Sequence, residues 1–481
     1  MRALATLATS AVVAALTAVP AYAASAAHMC HGFRATIVGT AGDDTIIGTA
    51  ARDVIVGLDG DDTIDGGAGK DVICGNDGGD VLTGGSGDDK VYGGYDGEHR
   101  RGEYIYDTGD TISGGPGDDL LDLGDDERHP SVTHIGAETL SYADSATGVH
   151  LDLAKGRATG EGHDTIVQLR LIRDQELVVL GSPVGDVIKG TARKDRINPL
   201  QGDDEVFGRG GADRIEENGL IPPRPLPNGN DVFHGGPGHD HLDSSDGHDV
   251  LDGSGGADAL VSTSPAATLD GGAGRDFLSA GSVDSPDSAT IMQGGRDGDR
   301  LQLRDPGEGT EVDGGAGRDR LELTDDRTDP IALDLSGSIE RGGTTVPVGR
   351  VDSWRVTTAG SAAEVRGTSG VDRLVLYLTT HDVPVTASLG AGADRFWDRG
   401  VGSLDVSMGA GADRLLKSGR GGITALLGAG DDLVETSTGH WAIGPDAPPR
   451  TYDGGTGIDT AELDLDLPAN SCTHIEKGNC P

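Results

Sequence analysis

The sequence predicts an all-β solenoid, a rod of stacked short strands, and three observations carry that prediction. A nine-residue unit repeats without a slip from Gly39 to Tyr92. Its eighth place is always aliphatic: Ile46, Ile55, Ile64, Ile73, Leu82 and Val91. Aromatic residues make up 3% of the 481, too few for a conventional large core. The 81 glycines and the formal charge of −42 would alone describe a disordered chain. A periodic aliphatic place argues against that, and a fold conditional on counter-charge satisfies both. So acidic a surface disfavours nucleic acid and anionic membranes as partners, since both would be repelled.

Residues 1–23 read as an export signal, with Arg2, an apolar stretch from Leu4 to Val19, and Ala21-Tyr22-Ala23 as the small-x-small cleavage site. The mature chain is therefore expected to be secreted and extracellular, without membrane insertion. Four cysteines in an exported chain favour disulfides, and three pairings exist. Locality favours Cys30–Cys74 at the head and Cys472–Cys480 at the tail, where each would staple a terminal coil.

The first block, 24–138, carries aspartate in the sixth place of each unit: Asp44, Asp53, Asp62, Asp71, Asp80 and Asp89. Glycines at the front of the unit permit a tight turn, and the last three residues suffice for one short strand. A charged insertion, Glu98 to Tyr106, precedes a further unit holding Asp119. Residues 139–180 alternate apolar and polar positions without turn aspartates, and are expected to be plain spacer strands of the same stack. The second block, 181–325, restarts at Gly181 and keeps register to Ser279. It offers Asp204, Asp213, Asp231, Asp240, Asp249, Asp258 and Asp276, followed by Asp319 in a separate unit. Asp186 and Asp195 are set aside because Val184 and Arg193 stand where glycine is expected, and Asp299 because Asp297 does. Glu217–Pro225 keeps the length of a unit but is Pro-rich and reads as a loop. After a second plain spacer, 326–366, the rhythm lengthens to nineteen in 367–481. There Asp394, Asp413 and Asp432, with Asp459 beyond, place one turn motif per coil, a β-helix with aspartates on a single edge.

Nine residues make half a coil, so successive aspartates alternate between two edges and stack at ~4.8 Å along the hydrogen-bonding direction. Carboxylates that close repel by roughly 1 kcal/mol in water and by more when partly buried. A divalent cation between them reverses the sign, and hard oxygen donors select Ca2+ over Mg2+, Zn2+ or Cu2+. Arg52 and Lys70 in the fifth place would weaken the Asp53/Asp71/Asp89 edge relative to the Asp44/Asp62/Asp80 edge.

Gly66-Gly67-Ala68-Gly69-Lys70-Asp71-Val72-Ile73-Cys74 and Gly84-Gly85-Ser86-Gly87-Asp88-Asp89-Lys90-Val91-Tyr92 match Gly-Gly-x-Gly-x-Asp-x-apolar-x in full. The pattern resembles the hemolysin-type calcium-binding (RTX nonapeptide) repeats. That resemblance implies a parallel β-roll that is unfolded without calcium and folds on binding several Ca2+ ions.

Two function classes follow. One is a non-catalytic calcium-binding scaffold, a monomeric rod of about twenty coils and on the order of 100 Å, serving a matrix, adhesion or surface partner. The chain has no His-Glu-x-x-His, no Gly-x-Ser-x-Gly and no phosphate loop. The alternative is a β-helix enzyme acting on polysaccharide, with an Asp-rich groove around Leu374–Trp397, where Trp397 would stack on a sugar and Asp394 would act. His234, His239, His241 and His248 read as solvated filler rather than a transition-metal site.

Overall fold

The computed structural model describes residues 28–95, 99–101, 104–106, 109–124, 137–167, 177–217, 229–264, 266–281, 289–379, 383–400, 402–418, 421–437, 450–463, 470–478 and 480. The expected export signal and most of the Pro-rich loop lie outside them.

The chain winds into a solenoid with two long, open ladders of parallel strands. One ladder starts with Thr45–Ile47, Thr63–Asp65 and Val81–Thr83 and ends at Lys477–Gly478. The other starts with Ile37–Val38, Val54–Asp59 and Val72–Asp77 and ends at Asn470–Thr473. Each strand pairs with its equivalent one coil on, so Ile46 faces Ile64 and Ile64 faces Leu82, while Ile55 faces Ile73 and Ile73 faces Val91. The eighth place thus forms an unbroken inner column on each ladder, and both columns join one continuous buried core. At roughly 1.5–3 kcal/mol per buried aliphatic side chain, these columns are the main apolar stabilisation of each coil. Trp354 occupies the same place between Leu321 and Leu374 and is 3% exposed, a core residue rather than a surface aromatic.

The two spacers differ from the plain coils expected of them. In the first, His150–Asp152, Arg157–Thr159 and His163–Val167 form an antiparallel meander spliced into the second ladder. Its outer strands pair in parallel with Leu120–Asp122 on one side and Val187–Lys189 on the other. In the second, Ile331–Asp334, Ser338–Arg341 and Thr344–Gly349 repeat the arrangement. Alternation at period two is the same for parallel and antiparallel strands, so the pattern alone could not separate them. The splice leaves the core column intact through Leu151, Ala158 and Ile166, and later Leu333, Ile339 and Val346.

The structure pairs Cys30 with Cys74 (Cα–Cα 5.8 Å) and Cys472 with Cys480 (6.3 Å). Cys30 and Cys74 belong to a small apolar cluster with Val54, Val56 and Val72, which covers the first coils. Among the described residues, no helix is long and apolar enough to cross a membrane.

Candidate metal centre

Among the described residues, the sixth-place aspartates form five ladders along the solenoid edges. The amide of Asp44 donates to Asp62 Oδ1 at 2.8 Å, that of Asp62 to Asp80 Oδ1 at 2.8 Å, and that of Asp80 to Asp110 Oδ1 at 2.8 Å. The opposite edge runs Asp53, Asp71, Asp89, Asp119 in the same way. In the second block the chains of donation are Asp186, Asp204, Asp231, Asp249 and Asp195, Asp213, Asp240, Asp258, Asp276, Asp299, Asp319. The last block runs Asp372, Asp394, Asp413, Asp432, Asp459. Each carboxylate after the first of its ladder therefore spends one oxygen on the amide of the aspartate in the coil before it.

The other oxygen is the informative one. Oδ2 is buried without a hydrogen-bond partner in Asp62, Asp71, Asp80, Asp89, Asp119, Asp204, Asp213, Asp231, Asp240, Asp249, Asp258, Asp276, Asp299, Asp319, Asp394, Asp413, Asp432 and Asp459. A buried carboxylate oxygen without a partner costs at least ~1–3 kcal/mol, so the repetition of such an atom beyond the first rungs calls for counter-charge, a cation or a proton. The turn packs glycine directly against this oxygen: a Cβ at Gly57 would lie 2.2 Å from Asp62 Oδ2, and one at Gly75 would lie 2.0 Å from Asp80 Oδ2, so no larger residue fits there. These residues fit a hard cation held by oxygen donors.

Burial is the first cause of the electrostatic strain. It pushes Asp80 and Asp119 up to about 7, and Asp204 and Asp213 up to about 8. The ladder amide pulls each back down, and the carboxylate of the preceding coil raises it again.

Two kinds of turn share the ladders. In the described turns with the unpartnered oxygen, that of Asp249 apart, the second place takes a left-handed backbone, even where it is not glycine: Leu58 (φ 94°), Asn76 (76°), Leu200 (78°), Arg209 (77°) and Ser254 (67°). Such strain at non-glycine residues marks a geometry held for function. In the other kind, a Thr or Ser in that place closes the carboxylate from within. Thr40 N–H donates to Asp44 Oδ2 at 2.5 Å, and Thr49 donates to Asp53 Oδ2 through its amide (2.7 Å) and hydroxyl (2.8 Å). Ser182 closes Asp186, Thr191 closes Asp195 and Thr368 closes Asp372 in the same manner. These five are the first rungs of the five ladders. The first rung has no aspartate one coil earlier, and the Thr or Ser residue supplies hydrogen bonds to its carboxylate, at Asp44 through the Thr40 amide alone, the Thr40 hydroxyl donating to the Gly42 carbonyl.

Most expected ligands thus share one environment, whereas Asp44 and Asp53 belong to the hydroxyl-closed class. Asp186 and Asp195 fall in that class too, in keeping with the non-glycine residues Val184 and Arg193 in their turns. Asp299 carries the unpartnered oxygen despite Asp297, because Asp297 itself adopts φ 71°. Asp110, Asp372 and Asp164 are ladder members that sequence reasoning missed. Asp164 accepts from Asp119 N–H (3.2 Å) and from the Tyr142 hydroxyl (3.1 Å), which corrects the expectation that the first spacer holds no turn aspartate. Its signal was present in Gly160-Glu161-Gly162-His163-Asp164-Thr165-Ile166. Glu138, Asp352 and Glu476 accept the last ladder amides, and no period announces them.

The cations expected to weaken one edge are turned outward: Lys70 pairs with Asp88, and Arg52 lies 4.9 Å over the Phe33 ring. Both still act on that edge, Arg52 lowering Asp71 and Lys70 lowering Asp89 through their charge. On the far edge of the last block, opposite its aspartates, buried Lys417 donates to Asp398 Oδ2 (2.6 Å) and to the carbonyls of Gly400 (2.8 Å) and Gly402 (3.2 Å). A protein cation balances the charge there.

The groove expected to be Asp-rich is basic instead. A hollow of about 450 Å³ is lined by Arg320, Arg373, Arg395, Arg414 and Trp397, while Asp394 is fully buried in its ladder. Arg399 covers the Trp397 ring at 3.7 Å. The histidines are dispersed: His234 stacks on Phe207, His239 accepts from Ala257 N–H, and His241 shares Glu216 with Arg214.

The family model of the RTX calcium-binding nonapeptide repeat matches residues 38–73, 75–96, 106–127, 180–215, 228–260 and 268–284. No curated protein matches the chain. Past the last matched residue the unpartnered Oδ2 recurs at Asp299, Asp319, Asp394, Asp413, Asp432 and Asp459.

Proposed function

Starting from a chain built on RTX calcium-binding nonapeptide repeats, which bind several Ca2+ ions, we propose that the protein is a secreted, non-catalytic scaffold that folds when it meets extracellular calcium. The single observation that carries this reading is the series of buried, unpartnered Oδ2 atoms along every ladder. Without counter-charge, stacked buried carboxylates oppose the coil; with Ca2+ the same oxygens hold neighbouring coils together. Three calcium blocks, 24–138, 181–325 and 367–481, would be joined by the two spacers into one monomeric rod. Calcium would supply charge neutralisation, held by the carboxylate oxygens of the ladders. The ladder aspartates hold the register, and the hydroxyl-closed first rungs start each edge without metal. Such a rod would present its flat outer faces to a matrix or surface partner. The enzyme alternative loses support, because Asp394 is enclosed and the hollow beside it is lined by arginines.

Far-ultraviolet circular dichroism of the mature chain tests the reading. The expected result is a disordered spectrum in chelator and a β spectrum at millimolar calcium, reversible between the two. A β spectrum unchanged by chelator at neutral pH would exclude calcium-coupled folding.

A further inference from the structure

We propose that Glu217 is a third carboxylate ligand in a calcium site with Asp231 and Asp249, outside the nine-residue motif and stronger than the ordinary rungs. The proposal rests on the calcium reading above and names one site within it.

Glu217 follows the strand Arg214–Glu216 and stands in the first place of its unit, where the motif has glycine. One oxygen from each of Glu217, Asp231 and Asp249 lies within 4.8 Å of the others. All three residues are enclosed, at 6%, 1% and 1% exposure. Asp231 and Asp249 each keep a buried Oδ2 without a hydrogen-bond partner. Their Oδ1 atoms are already committed to the ladder, accepting from Asp204 N–H (2.8 Å) and Asp231 N–H (3.1 Å).

Ser245 shows that the arrangement is built. It occupies the second place of the Asp249 turn and lacks the left-handed backbone of the metal turns. In the five first-rung turns, a hydroxyl residue of that kind closes its own aspartate. Here Ser245 instead donates its amide (2.9 Å) and its hydroxyl (2.7 Å) to Glu217 Oε2. Glu217 thereby diverts the cap that would otherwise satisfy Asp249. The result is an anchored glutamate beside two aspartates whose free oxygens share its space. Three carboxylates around one site give a formal charge of −3, against which a divalent ion is held more tightly than by the ladder aspartates alone. The competing explanation is a proton shared between Glu217 and Asp231.

The test compares calcium binding to the full mature chain and to its Glu217→Gln and Ser245→Ala variants, by isothermal titration and native mass spectrometry at pH 7.5. Glu217→Gln should weaken the tightest calcium by about tenfold, with the other sites and the calcium-saturated dichroism spectrum unchanged. Ser245→Ala should weaken the same site by releasing the Glu217 carboxylate. Should both variants bind calcium as the parent does, the proposal is overturned, and a gain in chelator stability for Glu217→Gln would identify the shared-proton pair. Absence of calcium binding to the parent chain would refute the underlying calcium reading instead, so the two failures are distinguishable.

Discussion

Asp80→Ala should raise the calcium concentration needed to fold the first block more than Asp80→Asn does, while Asp44→Asn should barely change it. Asp80 performs two tasks at once. Its Oδ1 accepts the amide of Asp62, and its Oδ2 is buried without a partner. Asparagine can keep the first bond through its carbonyl but loses the charge that attracts the ion. Alanine loses both and leaves the Asp62 amide unpaired, at a further cost of about 1–3 kcal/mol. Asp44 heads its ladder, and its Oδ2 is already held by Thr40. Calcium titrations followed by circular dichroism would show midpoints in the order parent, then Asn, then Ala at position 80. Equal effects at 44 and 80 would contradict the division into metal turns and hydroxyl-closed turns.

Acidification should act in opposite directions with and without calcium. Burial raises Asp394 and Asp432 to about 6, Asp80, Asp249 and Asp258 to about 7, and Asp204 and Asp213 to about 8, all from an unfolded value of 3.8. The folded chain therefore binds more protons than the unfolded one between these limits. In chelator, the stability these groups permit is fully present below pH 3.8 and is lost as pH rises through 6 to 8. The metal-free chain should accordingly gain β structure between pH 8 and pH 5. In calcium the sign inverts, because the ion needs the ionised carboxylate and protons compete with it. The calcium midpoint should then rise as pH falls from 8 to 6. A midpoint independent of pH over that range would mean that the ladder carboxylates are not the ligands.

Much of this was legible in the chain because one physical demand repeats at a fixed interval. The aliphatic eighth place gave both inner columns, and the sixth-place aspartate gave the ladders that run between coils. The same letters also encoded the two kinds of turn. Thr40, Thr49, Ser182, Thr191 and Thr368 all stand where other turns have glycine or a residue forced left-handed. Their role lies in the fold: each closes its own aspartate, Thr40 through its amide and the other four through amide and hydroxyl. The antiparallel splices were hidden because period two does not report strand direction. Glu217 was hidden because it sits outside the motif, and its contact with Ser245 spans 28 residues across the Pro-rich loop. The arginine-lined hollow arises from stacking Arg373, Arg395 and Arg414 in register, a neighbourhood that no single unit shows.

Hydrogen exchange on the whole mature chain, read by mass spectrometry with and without calcium at pH 7.5, tests the central claim most directly. The ladder amides of Asp62, Asp71, Asp213, Asp240, Asp394 and Asp413 each donate to a carboxylate one coil away. Peptides carrying them should exchange freely in chelator and become protected together, block by block, as calcium is added. Protection of those peptides to the same degree in chelator as in calcium would contradict the account, because the coils would then be stacked without the ion.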